Sequence, residues 1–297
     1  MPALVPPGFT RGPILFTGPH LNEQSAATLL QRFWDEAGSY GARILILPTA
    51  TNTEATDACA DLFRSWETEW IQILTVQNRA SAQDLRHQEL IDAATAILVI
   101  EDNPLHFTSL VGGTPMAQAL RRANARGKVI GGVGRGAAAL CQHMIAFERG
   151  NSAGLPLLQR RLIQLAPGLG LINRIVLDID LVAGNVAHAG LGRLLSAIAY
   201  NPFLIGVSLE SGTGVVIYSD NTLEVFGAGS ALVIDGAGMS FTDVHDYERA
   251  EPISLLGVHL HGLAHGYTFN LEARTVCPPV ASDIPASSVP AQSKSSF

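Results

Sequence analysis

Residues 128–145 read Lys-Val-Ile-Gly-Gly-Val-Gly-Arg-Gly-Ala-Ala-Ala-Leu-Cys-Gln-His-Met-Ile. An apolar strand enters a glycine-crowded corner, and an alanine-rich helix is expected to leave it. A strained strand-to-helix turn of this kind can lift a serine hydroxyl above the edge of a sheet. The residue at the apex here is Gly134, which has no side chain to attack a carbonyl.

Other groups nearby are poor substitutes. Cys141 lies seven residues on, about 10 Å along a helix, and reads as a small buried apolar residue. His188 is a candidate base that has no nucleophile to serve. His20 follows the first strand and is placed at the rim of the expected pocket. Arg135, at a helix N-terminus, suits a carboxylate. Gly132-Val-Gly-Arg-Gly136 also invites a phosphate-loop reading. It lacks the acid expected about 20 residues further on and the phosphate-loop lysine, so no nucleotide cofactor is expected. His259, His261 and His265 form a His-x-His-x₃-His cluster. Residues two apart on a strand share a face, which makes His259 and His261 weak metal-ligand candidates. The bland reading, packed strand histidines, is preferred.

The elements that must position these residues alternate. Strands are expected over 13–17, 43–47, 71–76, 96–100 and from 129. Helices are expected over 24–37, 56–66, 85–93 and 114–126. Unbroken Val/Ile/Leu strands are buried on both faces, as in a parallel sheet. The strand–helix repeat then gives right-handed crossovers and a three-layer α/β/α sandwich with a mostly parallel central sheet. Leu29, Phe33 and Trp34 are expected in its core. From about residue 160 the pattern turns antiparallel, with strands over 175–180, 205–209, 214–218, 224–227, 231–235 and 253–263, and a helix over 191–199. One domain over 12–275 is expected, between an N-terminal extension (1–11) and a disordered Pro/Ser/Ala-rich tail (276–297).

The chain has 297 residues, 47% apolar and 15% charged, enough for a large core. Its net charge of -7 comes from 19 basic and 26 acidic residues without a basic block, which argues against nucleic acid. Three separated cysteines suggest reduced thiols and a cytoplasmic location. No apolar run nears the 18 or so residues of a membrane span.

At the level of motifs the chain resembles the cyanophycinases, serine exopeptidases related to aspartyl dipeptidases, from about residue 12 to 271. Ala42-Arg-Ile-Leu-Ile-Leu-Pro-Thr-Ala50, Phe107-Thr-Ser-Leu-Val-Gly-Gly-Thr-Pro115, Gly192-Arg-Leu-Leu-Ser-Ala-Ile-Ala-Tyr-Asn-Pro202 and Leu204-Ile-Gly-Val-Ser-Leu-Glu210 carry the resemblance. The second of these is expected to be a loop. The resemblance implies a Ser-His-Glu site, and two of its members have changed. Gly134 stands at the serine, Asp180 at the histidine after Asp178, and only Glu210 survives. The loop at 182–190 is longer than in the family, and the family's Gly-Gly-Asp-Gln turn becomes Ile100-Glu-Asp-Asn-Pro104. The resemblance places Asp178 and Asn103 with Arg135 and His20 as candidate ligand contacts. It implies a peptide or cyanophycin ligand, and a homodimer or a pairing with an active homologue. The expectation is a peptidase scaffold without peptidase chemistry. The alternative is a hydrolase of β-aspartyl peptides or related amides through a rebuilt, metal- or water-dependent site.

Overall fold

The structure is a computed structural model, and it describes residues 1–18, 23–148, 158, 162–179, 187–246 and 252–279. The first half alternates as expected. Its elements are β1 (Ile14–Thr17), α1 (Glu23–Glu36), β2 (Arg43–Pro48), α2 (Thr53–Ser65), β3 (Trp70–Ile73), α3 (Arg79–Gln83), α4 (His87–Ala93), β4 (Ala96–Ile100), α5 (Pro104–Val111), α6 (Pro115–Ala125) and β5 (Val129–Val133). The second half is mostly strand. It contains β6 (His143–Glu148), β7 (Ile163–Pro167), β8 (Ile175–Asp178), α7 (Ala187–Tyr200), β9 (Ile205–Leu209), β10 (Thr213–Ile217), β11 (Thr222–Gly227) and β12 (Ala231–Asp235). It closes with β13 (Phe241–Thr242), β14 (Leu255–Leu256), β15 (His259–Leu263), β16 (Thr268–Asn270) and β17 (Thr275–Cys277).

Among the described residues the central sheet has nine strands, in the order β17-β16-β11-β10-β1-β5-β4-β2-β3. The half from β1 to β3 is parallel, and the half from β10 outward is antiparallel. Successive strand residues point to opposite faces, which is why unbroken apolar strands fit here. Ile44, Ile46, Leu98 and Ile100 pack under α1 and α2 against Leu29, Phe33, Trp34 and Phe63. Leu45, Leu47, Ile97 and Val99 pack on the other face with Phe107 of α5 and Leu120 of α6.

A second sheet, β15-β12-β9-β8, covers the antiparallel side of that other face. Its Leu177, Val207, Leu209 and Val233 join the core of the central sheet. Val176 and Ile234 face outward, where Leu194, Ala197 and Ile198 of α7 cover them. The α/β sandwich therefore has the expected helical layers, and over its second half an additional sheet lies between the central sheet and α7.

Several details differ from the sequence reading. Residues 107–115 are not a loop: most belong to α5, which Pro104 at its first turn and the Asn103 cap start. Pro at the first helical position and Asn at the cap are favourable there. The segment after the elbow is a short 3₁₀ turn (Arg135–Leu140) rather than a long helix, and β6 follows it at once. Cys141 thus lies past the turn, bridging to Ile172. Residues 187–190 are the first turn of α7 rather than loop. Strand β17 carries the sheet through Cys277, past the expected domain end.

Candidate active site

The corner at Gly134 stands at the carboxyl end of β5, beside the carboxyl end of β4. Open α/β sheets bind ligands at that edge, because the chain leaves the sheet there and its loops are free to vary. Val133 is the last ladder residue, and its carbonyl accepts the Glu101 N–H at 3.3 Å. Gly134 then turns with φ +81° and ψ 173°, a region essentially reserved for glycine. Space as well as φ demands glycine. A Cβ at this position would lie 2.6 Å from the Glu101 carbonyl oxygen and 2.7 Å from Asp102 Oδ1. The corner therefore accepts only glycine, and the β4 turn fills the space above it.

A cleft of about 190 Å³ opens beside this corner. One wall is Asp102, Asn103, Pro104 and Arg135. The other includes Leu177 and Asp178 from β8, Ile179 just after it, and Arg193 from α7. Asp178 and Arg193 form a bidentate pair, with Nε donating to Oδ2 at 2.6 Å and Nη2 to Oδ1 at 3.2 Å. Both are buried, at 8% and 5% exposure. Such a fork-on-carboxylate geometry is directional as well as strong. It presents a fixed dipole to the cleft, with the exposed Arg135 at the rim. Asn103 uses its Oδ1 to accept the N–H groups of Leu105 and His106 at 3.0 and 3.1 Å.

Three of the four expected ligand contacts, Arg135, Asp178 and Asn103, thus converge on one cleft. His20, the fourth, and Asp180 lie outside the described residues. Glu210 follows β9 in the second sheet, and its Oε2 accepts both the N–H and the hydroxyl of Ser230 at 2.8 Å. Cys141 is fully buried, and burial pushes its thiol up to about 12. That suppresses the thiolate a nucleophile needs. His259 and His261 stand on β15, three strands from β8 in the second sheet. Their rings are 6.4 Å apart, and His261 packs on Phe269 at 5.6 Å. Among the described residues no three His, Cys, Asp or Glu side chains group as metal ligands.

Sequence reasoning missed two participants. Arg193 sat inside a quoted motif without a role, although an arginine among apolar helix positions, Leu191, Leu194 and Leu195, was a usable signal. Glu101 directly follows the last apolar residue of β4 and is 2% exposed. A carboxylate buried to that degree must be paired. Its partners are the His106 ring, at 3.0 Å, and the amides of Asp102 and Asn103.

The fold and corner together define an α/β scaffold of the serine-peptidase type. The comparisons with known proteins agree. The profile of peptidase family S51 matches residues 14–217, and the chain belongs to that family. It is 31% identical to a cyanophycinase of Geminocystis herdmanii, over 88% of this chain and 94% of the relative. It is 28% identical to a cyanophycinase of Trichormus variabilis, over 92% of this chain and 90% of the relative. The crystal structure of a peptidase from an acI-B1 actinobacterium superposes with a TM-score of 0.61 at 17% identity, covering 89% of this chain and 98% of that one. Among the described residues no helix is long and apolar enough to cross a membrane.

Proposed function

We propose that this chain is a peptidase-family protein that binds a peptide in the elbow cleft without cleaving it by serine chemistry. The observation that carries this reading is Gly134. It supplies no oxygen, and a Cβ there would meet Glu101 O at 2.6 Å. Nucleophilic catalysis needs an activated oxygen or sulfur within hydrogen-bond reach of a base. A site without one keeps only the residual rate of binding and polarisation, roughly 10³–10⁴ over water. The cleft itself offers exposed charges of both signs, Asp102 and Arg135, beside the buried Asp178–Arg193 pair. That complement suits a peptide carrying both carboxylates and a guanidinium, such as β-aspartyl-arginine. Relatives named cyanophycinases point to the same chemistry. Pairing with a second copy or with an active relative, in the cytoplasm, belongs to this reading.

The test is purified protein with cyanophycin and with β-aspartyl-arginine, followed by amine release and by calorimetry. Binding without release is expected. Release abolished by Glu210→Ala would overturn the reading, and so would the absence of binding.

One observation favours a second reading. The His106 ring is held through Nδ1 by a buried carboxylate, the arrangement that orients a general base toward water. Hydrolysis that survives Glu210→Ala and disappears with His106→Ala is its signature.

A further inference from the structure

Glu101 stands where the β4 turn meets the elbow. Its Oε1 accepts the N–H of Asp102 at 2.8 Å and of Asn103 at 2.9 Å, with Asn52 Nδ2 at 3.5 Å. Its Oε2 faces His106 Nδ1 at 3.0 Å. Its backbone carbonyl accepts the Gly136 N–H at 2.8 Å. The side chain also fills the space beside Gly136. A Cβ at Gly136 would lie 2.3 Å from Glu101 Cγ, as one at Gly134 would lie 2.6 Å from Glu101 O. Asp102 and Asn103, whose amides this carboxylate holds, are both cleft-lining residues.

We propose that Glu101 is a positioning residue for the cleft. It fixes the 102–103 rim through two amides and meets the His106 ring, and its side chain leaves no room for a Cβ at Gly136. The proposal rests on the peptide-binding reading and adds the residue that shapes that site. Carboxylate–amide bonds of this kind are charge-assisted and short. Removing the acceptor leaves two N–H groups without their partner beneath an exposed rim, and such groups seek other partners by moving.

The experiment uses the full chain as the parent, Glu101→Gln and Glu101→Ala. The probe is β-aspartyl-arginine by calorimetry, together with backbone amide exchange at residues 102 and 103. Residues 205–209 of β9 serve as the internal control. For Glu101→Ala, affinity should fall by about tenfold or more, the equivalent of roughly 1.4 kcal/mol. Amide exchange should accelerate at 102 and 103 and stay unchanged in β9. Glutamine keeps an oxygen for both amides, so Glu101→Gln should stay within about threefold of the parent affinity and preserve exchange protection. Parent-like exchange at 102 and 103 in Glu101→Ala overturns the proposal, and so does a glutamine variant as impaired as the alanine one. If Glu101→Ala does not fold, the parent protein decides: protection of the 102 and 103 amides supports positioning, and exchange as fast as in an open chain refutes it. If the parent protein binds no dipeptide, the binding reading fails alone, and exchange still judges Glu101.

Discussion

Substituting Gly134 tests whether the corner has lost only an oxygen or also the room for one. Two costs add for Gly134→Ser. A side chain at φ +81° and ψ 173° carries about 1–3 kcal/mol of backbone strain. Forcing a Cβ to within 2.6 Å of Glu101 O and 2.7 Å of Asp102 Oδ1 adds about 1–3 kcal/mol of overpacking. The expected loss is about 2–6 kcal/mol, read from denaturant midpoints at constant slope. Both costs arise at Cβ, so Gly134→Ala should match the serine variant within about 1 kcal/mol, inside the usual scatter of such contributions. Gly8 separates the two. It has φ +82° with nothing within 4 Å of an added Cβ, so Gly8→Ala should show only the strain, about 1–2 kcal/mol. A Gly134→Ser protein as stable as the parent would refute this account. So would rapid cyanophycin cleavage by Gly134→Ser combined with Asp180→His, for which little activity is expected.

Three other outcomes follow from the described geometry. Arg193→Ala strips the partner from a buried carboxylate and should cost about 3–5 kcal/mol, whereas pairing it with Asp178→Leu should recover much of that loss; a purely additive double-mutant cycle would contradict this. Thiol labelling of the native protein should modify exposed Cys277, while buried Cys59 and Cys141 react only on unfolding. Burial pushes both of those thiols up to about 12 from an ordinary 9.0. Their neutral forms are favoured in the fold, so their contribution is complete below pH 9 and is lost as pH rises from 9 toward 12. The denaturant midpoint should therefore drop between pH 8.5 and 10.5, and Cys141→Ala should flatten that drop.

The parallel half of the central sheet was legible because its strands are uniform and its helices periodic: 96–100 matches β4 residue for residue, as 205–209 matches β9 in the second sheet. The corner at 132–136 was legible because glycines at a strand end have few other uses. What stayed hidden was set partly by local turns without a hydrophobic period and partly by contacts distant in sequence. Helix α5 was concealed because Leu-His-Phe-Thr-Ser-Leu-Val has no clear polar face, and its start rests on Asn103 and Pro104. The 3₁₀ turn after the elbow looked like a longer helix because alanine favours helix, yet the backbone there is committed to Leu169 and Leu171 through the carbonyls of Ala139 and Leu140. Asp178 was picked out by motif, but its ion pair with Arg193 of α7 spans fifteen residues. Glu101 escaped notice because the sequence shows only that an acid follows a strand, not that it turns back beneath its own turn.

The cleft is also a seam. One wall belongs to the parallel sheet, through residues 102–104 and 135, and the other to the second sheet and α7, through residues 177–179 and 193. A ligand gripping both walls would act as a clasp between two halves of the core. Its affinity is then linked to how tightly those halves close, and by mass action its binding raises the whole molecule's resistance to unfolding. Side chains that never touch the ligand, such as Phe16 and Val207 in the shared core, thereby become determinants of how firmly it is held.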